Sequence, residues 1–323
     1  MTEDGFLRGL FPRLGTMPPE VVVPPGDDCA AVRIAPGRLQ LLAVDQLIGD
    51  RHYHRTGPGA ASPELAGRKL LARNLSDIAA MGGEPRYALV AVALDPRQDV
   101  AWLNRFFDGL LELARATGTH LIGGDLARAP HDAVASLTIV GEVAEAQIKR
   151  RSDAKAGDLL LATGRFGSSL ETGHHLTFTP RLAEGAWLAA RPAVHAMMDV
   201  SDGLLLDSRR LGRAASLDLR LDPAAVPRRT PETTLRQALA DGEDYELILA
   251  ADPAAVPELL ADWPFADLPL TVIGEFTAPS GATPEVRRPD GTPLHAGQDG
   301  FDHLARPAGK NAPTAEPEAG NEP

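Results

Sequence analysis

The sequence predicts a two-domain α/β chain, and three observations point there. Its 323 residues exceed what a single hydrophobic core usually serves. Short apolar runs bounded by Gly, Pro and Asp alternate with longer segments of helical periodicity. Between Gln147 and Asp158 the chain is charged and loses apolar periodicity. That places a boundary: residues 1–147 form one α/β domain, 148–305 a second, and 306–323 a tail rich in Pro, Ala, Gly and Glu that is expected to be disordered.

Residues 29–34 and 39–45 read as two strands joined by a turn at Pro36-Gly37. Ser62-Pro63-Glu64 starts a helix, with an N-cap and then Pro at the first helical position, and that helix runs to Met81 before Gly82-Gly83. Tyr87 to Leu94 is a buried strand ended by Asp95-Pro96. A helix follows from Val100 to Thr117, its apolar face supplied by Trp102, Leu103, Phe106, Phe107, Leu110, Leu111 and Leu113. His120-Leu121-Ile122 leads into a turn at Gly123-Gly124-Asp125, and Ala133 to Val143 is another strand. Beyond the boundary, Leu159 to Thr163 is a strand, and Gly164-Arg165-Phe166-Gly167 is a turn into a helix. A further helix starts near Asp202, and Tyr245–Ala251 and Leu270–Phe276 are strands.

A formal charge of −12 argues against a nucleic-acid or anionic-membrane surface. The only cysteine, Cys29, follows Asp28 in an apolar run and reads as a small buried side chain. With no disulfide possible within the chain, no apolar stretch of membrane length, and a start at Met1-Thr2-Glu3-Asp4 unlike a signal peptide, a cytoplasmic location is expected.

The chemistry sits in short acidic motifs: Gly26-Asp27-Asp28, Val44-Asp45, Asn74-Leu75-Ser76-Asp77, Gly123-Gly124-Asp125, Asp199-Val200-Ser201-Asp202-Gly203 and Gly242-Glu243-Asp244-Tyr245. Most are expected at strand ends and turns, where a fold gathers distant side chains. Carboxylates so gathered repel each other, and oxygen donors of this kind suit Mg²⁺ or Ca²⁺. Mg²⁺ beside carboxylates points to phosphate chemistry. The chain has no Gly-x-x-x-x-Gly-Lys-Ser/Thr loop, so metals would carry work that a P-loop lysine does elsewhere.

Taken singly, each motif also has a plainer reading. Asp77 could be a solvated helix face, although Asn, Ser and Asp are poor choices for a helix interior. Ser201 and Asp202 could be an N-cap and a first-turn acid. Lys149, Arg150, Arg151 and Lys155 could be a solvated linker, or Arg151 could meet a nucleotide phosphate. His52 and His54 could be surface histidines, or one could meet a substrate phosphate.

Set in this order, the motifs resemble the thiamine-monophosphate kinase family. It belongs to a superfamily that also holds aminoimidazole ribonucleotide synthetase and selenophosphate synthetase. The match runs from about Gly26 to Leu304. It is most specific at Asn74-Leu75-Ser76-Asp77-Ile78-Ala79-Ala80-Met81-Gly82, at Asp199-Val200-Ser201-Asp202-Gly203-Leu204, at Gly242-Glu243-Asp244-Tyr245-Glu246-Leu247 and at Gly300-Phe301-Asp302-His303. The resemblance implies direct transfer of the ATP γ-phosphoryl group to thiamine monophosphate, giving thiamine diphosphate. It implies Mg²⁺ ligands at Asp28, Asp45, Asp77, Asp125, Asp199 and Asp202, and no catalytic residue beyond them. ATP contacts would fall at Gly124, Asp125, Arg151 and Ser201, and contacts to thiamine monophosphate at His52, Glu243 and Phe301. It also implies a homodimer in which two N-terminal domains share a β-barrel.

The transfer brings two phosphate anions together. At 4 Å and an effective dielectric near 20 they repel by about 4 kcal/mol per unit charge pair. Several Mg²⁺ ions would offset that repulsion. Three departures stand out. The family usually has hydroxyl residues where Ala43 and Val44 stand. It usually has two threonines and Arg-Gly where Leu126-Ala127-Arg128-Ala129 follow Gly-Gly-Asp, and Gly where Asp241 stands. These departures leave two alternatives open: a sister ATP-dependent enzyme with another small acceptor, or a degenerate ATP-binding protein.

Overall fold

Apolar alternation along residues 21–48 and 84–144 builds the first of two sheets. The computed structural model describes residues 2–297, 299–302 and 304. The expected disordered tail, 306–323, and His303 of the closing motif lie outside them. Residues 2–16, Asp302 and Leu304 form a small unit of their own around helix α1 (Glu3–Leu10). The Thr2 hydroxyl accepts from Gly5 N at 3.2 Å, and the Asp302 carboxylate accepts from Glu3 N, so two first-turn N–H groups of the helix are capped.

In the unit formed by residues 17–301, the first sheet holds β1 (Val21–Val23), β2 (Ala30–Ala35), β3 (Arg38–Ile48), β4 (Glu84–Leu94), β5 (His120–Arg128) and β6 (Val134–Ala144). Their order is β1-β2-β3-β6-β4-β5, an open sheet, with only the β4–β5 pair parallel. Helices α2 (Pro63–Ala80) and α3 (Val100–Ala116) cover one face. Leu70, Leu71, Leu75 and Ile78 of α2 are fully buried with Leu41, Leu137 and Ile139. Each such burial stabilises by about 1.5–3 kcal/mol, which anchors α2 whatever its polar face does. At Gly67 an added Cβ would lie 1.8 Å from the Phe106 carbonyl oxygen, so only glycine lets α2 and α3 approach this closely. As expected, Ser62 caps α2 by accepting from Leu65 N at 3.3 Å, with Pro63 next.

The second sheet holds β7 (Leu159–Thr163), β8 (Val194–Asp199), β9 (Asp218–Leu221), β10 (Leu247–Ala251), β11 (Leu270–Thr277) and β12 (Val286–Arg287). Its order is β12-β9-β11-β7-β10-β8. One face packs against α6 (Leu204–Ala214) and α7 (Leu235–Ala240). The other packs against α5 (Leu182–Ala189), α8 (Val256–Ala261) and Ala80 at the end of α2. Helix α2 therefore touches the cores of both sheets.

Three expectations need correction. The turn at Gly164 to Gly167 does not open into a helix; a single helical turn, α4 (His174–Thr177), comes later. Positive φ at Gly167, Ser168 and Gly173 keeps the intervening chain out of the right-handed helix. Gly123-Gly124-Asp125 is not a turn, because β5 continues straight through it along β4. Gly124 belongs in that strand, since an added Cβ would sit 1.9 Å from the Val90 carbonyl oxygen. Asp45 also lies inside its strand, where β3 keeps unbroken register with β6 from Arg38 to Ile48.

Candidate active site

Asp28 comes from the loop before β2, Asp77 from the last turns of α2, and Asp199 from the end of β8. One carboxylate oxygen of each lies within 4.8 Å of the others. This donor set fits a hard divalent cation, since oxygens on opposite sides of a Mg²⁺ stand about 4 Å apart. The local electrostatics agree. Burial pushes the Asp77 carboxyl well above the usual range, and Asp45, Asp199 and Asp28 push it further while Arg73 opposes. Burial and then Asp28 do the same to Asp199. These groups resist ionisation until a cation joins them.

The odd helix residues of the Asn74 motif now have work. The Ser76 hydroxyl donates to Asp199 Oδ2 at 2.7 Å, and Asn74 Oδ1 accepts from Asp45 N at 3.2 Å. Cys29 is buried as expected, and burial pushes its thiol up, so it is no nucleophile.

Two arginines meet the acids. Arg151 Nε donates to Asp28 Oδ2 at 3.2 Å, and its backbone N–H donates to Asp27 Oδ2 at 3.0 Å. Its side chain is only 16% exposed, so it is not a solvated linker residue. Nor is Lys149, which is buried and donates to the Val194 carbonyl at 2.6 Å. Arg73 Nε lies 3.2 Å from Asp45 Oδ2, an ion pair rather than an aligned hydrogen bond, and its Nη1 donates to the Gln46 carbonyl at 2.8 Å.

The Ser201 and Asp202 side chains do not cap α6, whose N-cap is Gly203. Instead Asp207, buried within α6, accepts from the backbone N–H of Ser201 at 3.1 Å and of Asp202 at 2.9 Å. Asp202 pairs with Arg210. Asp125 is outside the acidic trio. With Gly124 it lines an open cavity of about 520 Å³ on the β5 edge, beside Val90, Phe107, Leu121 and Leu126.

A second polar cluster adjoins the trio along α2. Lys69, Arg73 and Asp77 are four residues apart, so they share one helix face. Lys69 is fully buried and has three acceptors: the His52 carbonyl at 2.6 Å, His175 Nδ1 at 2.8 Å and the Glu243 carboxylate. They match its three N–H donors. Burial pulls the Lys69 pKa down to about 8 even with Glu243 alongside. Burial lowers His175 to about 3, which leaves that ring neutral and able to accept.

Glu243 and Tyr245 have left-handed backbones, with φ of 57° and 52°. Such positions cost about 1–3 kcal/mol each and need a surrounding frame. Ser169 Oγ donates to the Glu243 carbonyl at 2.5 Å, and Glu243 N donates to the Ser201 carbonyl at 2.7 Å. His52 is buried rather than a surface residue, and its Nδ1 accepts from Ile48 N at 2.8 Å. Next to it, the Arg51 guanidinium lies 4.3 Å from the Phe301 ring centroid. Phe301 N donates to the Asp202 carbonyl at 2.9 Å.

Residues 26–143 match the family model "AIR synthase related protein, N-terminal domain". The thiamine-monophosphate kinase of Escherichia coli (strain K12) is 33% identical over 332 residues, covering 94% of this chain and 99% of that one. The chain belongs to the thiamine-monophosphate kinase family. A solved thiamine-monophosphate kinase from Stenotrophomonas maltophilia K279a is 29% identical and superposes with a TM-score of 0.70 over 85% of this chain and 93% of that one. The fold also matches AaThiL complexed with AMPPCP and TMP, with a TM-score of 0.79 at 24% identity, over 94% of this chain and 97% of that one. The mixed α/β architecture is thus that of known thiamine-monophosphate kinases.

In this thiamine-monophosphate kinase family member, sequence reasoning missed Lys69, Arg73, His175 and Asp207. Lys69 and Arg73 stand on the Asp77 face of α2, and that four-residue spacing was the available signal. His175 and Asp207 carried none, because their partners are distant in sequence or are backbone groups. The departure at Asp241 has a local role: its Oδ2 accepts from Ser168 N at 3.1 Å.

Proposed function

We propose that this protein transfers the γ-phosphoryl group of ATP directly to thiamine monophosphate, giving thiamine diphosphate and ADP, in the cytoplasm. The observation that carries this reading is the meeting of Asp28, Asp77 and Asp199 beside Arg151, with the Lys69–Glu243 pair farther along the same face of α2. Bound divalent ions, Mg²⁺ by the chemistry of these donors, would offset phosphate charge and align donor with acceptor. Asp28, Asp77 and Asp199 hold that position, and Ser76 fixes the Asp199 rotamer. Arg151, Ser201, Gly124 and Asp125 are assigned to ATP. At the acceptor end, Lys69 sets Glu243 and the loop carrying His52, and Arg51 holds the Phe301 ring where it can flank an aromatic heterocycle. Thiamine monophosphate already presents an oxyanion, so no general base is needed.

The same reading keeps a division of the chain at 147/148 and a homodimer. Exposed apolar side chains support the dimer. Val44, Thr138 and Leu89 form one row across the sheet, on the face opposite Asp45, Leu137 and Val90. Val44 is 64% exposed, and Ile122 and Leu126 on the β5 edge are as open. A second copy laid on this face would close the sheet into a barrel and cover the edge.

The experiment is to incubate purified protein with ATP, Mg²⁺ and thiamine monophosphate and to look for thiamine diphosphate by chromatography. Free thiamine should be a poor acceptor. No product from thiamine monophosphate at millimolar ATP and Mg²⁺ would overturn the reading.

A further inference from the structure

Between β3 and α2 the chain makes a loop, residues 49–62, that carries His52. Its inner side is held by the core. Lys69 Nζ donates to the His52 carbonyl at 2.6 Å, and Tyr53 is buried among the apolar residues of the first sheet. The outer side is held by Arg55. The Arg55 backbone N–H donates to Asp50 Oδ1 at 2.9 Å and its Nε to Asp50 Oδ2 at 2.6 Å, which closes a ring around residues 50–55. Asp50 needs that ring. Its φ of 60° is a left-handed backbone, which a residue other than glycine keeps only inside a frame. The same guanidinium also reaches out of the loop: Arg55 Nη1 donates to Asp95 Oδ2 at 2.6 Å, one residue past the end of β4. The Arg55 stem crosses Gly49, where an added Cβ would fall 2.4 Å from its Cδ.

Two features set this apart from a surface ion pair. Such pairs contribute little when both groups are solvated, whereas the Asp95 side chain is 1% exposed and that of Arg55 16%. Asp95 also has a second partner: Arg97 donates to its Oδ1 from the backbone N–H and from Nε, each at 2.8 Å. Removing Arg55 therefore leaves Asp95 paired and the end of β4 in place, and frees only the loop. Arg97 is the opposite case. It shares the acid, its side chain is 69% exposed, and among the described residues its hydrogen bonds all run to Asp95. We propose that Arg55 is a positioning residue for the acceptor, a latch that fixes the His52 loop to the end of β4. Its guanidinium is taken up by Asp50 and Asp95, so it acts through the loop rather than on substrate. The proposal rests on the phosphotransfer reading for the role of His52.

The test compares the full-length native chain with Arg55→Met, Arg55→Lys and Arg97→Met. Arg55→Met should raise KM for thiamine monophosphate about tenfold and leave kcat within about twofold, the pattern of lost ground-state binding. Arg55→Lys, which keeps a cation for Asp95, should recover part of the loss, and Arg97→Met should match the native chain. The loop is read separately with trypsin. Cleavage after Arg51 requires the loop to open, because the next residue, His52, is buried. Arg55→Met should be cut there at least about tenfold faster than the native chain, and Arg97→Met no faster, with far-UV circular dichroism checking the fold. Should Arg55→Met fail to fold, Asp95→Asn carries both readouts against Arg97→Met. An unchanged KM in Arg55→Met overturns the positioning role, and native-like cleavage at Arg51 overturns the latch. Equal effects from Arg97→Met and Arg55→Met overturn both. A native chain that makes no thiamine diphosphate sinks the kinase reading, and the cleavage rates then decide the latch alone.

Discussion

Asp77→Asn keeps the shape of a half-buried side chain and removes a charge that its neighbours repel. Turnover should fall by orders of magnitude while the melting temperature without metal stays level or rises. Near-normal turnover would make Asp77 merely a polar helix residue. Lys69 gives a pH signature. Its pKa falls from 10.5 to about 8 on burial, so between those values the unfolded chain binds more protons than the folded one. Stability should therefore rise with pH across that window, and Lys69→Met should flatten the rise in urea melts taken from pH 7.5 to 10. In the native enzyme, Glu243 loses its ammonium partner as pH passes about 8. KM for thiamine monophosphate should increase there with little change in kcat, and Lys69→Met should raise KM at every pH. A pH-independent KM in the native enzyme would remove Lys69 from the acceptor site.

Helix α2 shows why an element can be read correctly and its purpose half missed. Its start, stop and apolar face follow from Ser62, Pro63, Gly82 and the leucines, all local signals. Its polar stripe depends on which distant strands and turns arrive beside it. Strand β3 makes the related point about the missing hydroxyls. Side chains alternate along a strand, so Ala43 lies on the Asp45 side and Val44 on the exposed opposite face. Ala43→Ser should lower the Mg²⁺ concentration for half-maximal rate by a factor of several, as one added oxygen ligand would. Val44→Thr should leave it unchanged. Equal effects from the two would mean that the Val44 face also meets metal, supplied by another copy of the chain.

The open sheet and its exposed apolar face bear on assembly. Every residue of β5 from Ile122 to Arg128 is exposed, and its outer edge has no strand partner among the described residues. Light scattering after gel filtration should give a dimer mass for the native chain. Replacing both Ile122 and Leu126 by Lys should give a monomer that keeps its circular dichroism. A native chain that stays monomeric at high micromolar concentration would reject the barrel. The −12 charge sits comfortably with this assembly, because the apolar face carries the contact and the acids gather in the site.

By itself the sequence determined the class of fold, most longer elements, the acidic motifs and the resemblance that names its chemistry. These depend on spacing along the chain, which periodicity, caps and short motifs record directly. Short pieces such as β12 and α7 escaped, because so few residues carry no period. Only the tertiary structure decided which acids meet each other and which meet an arginine. Asp28, Asp77 and Asp199 converge, with Arg151 against Asp28, while Asp45 and Asp202 face Arg73 and Arg210. A carboxylate reads the same in sequence whichever groups stand beside it. The choice is made by packing, which brings residues far apart in the chain within a few ångströms and removes the water that would otherwise screen them.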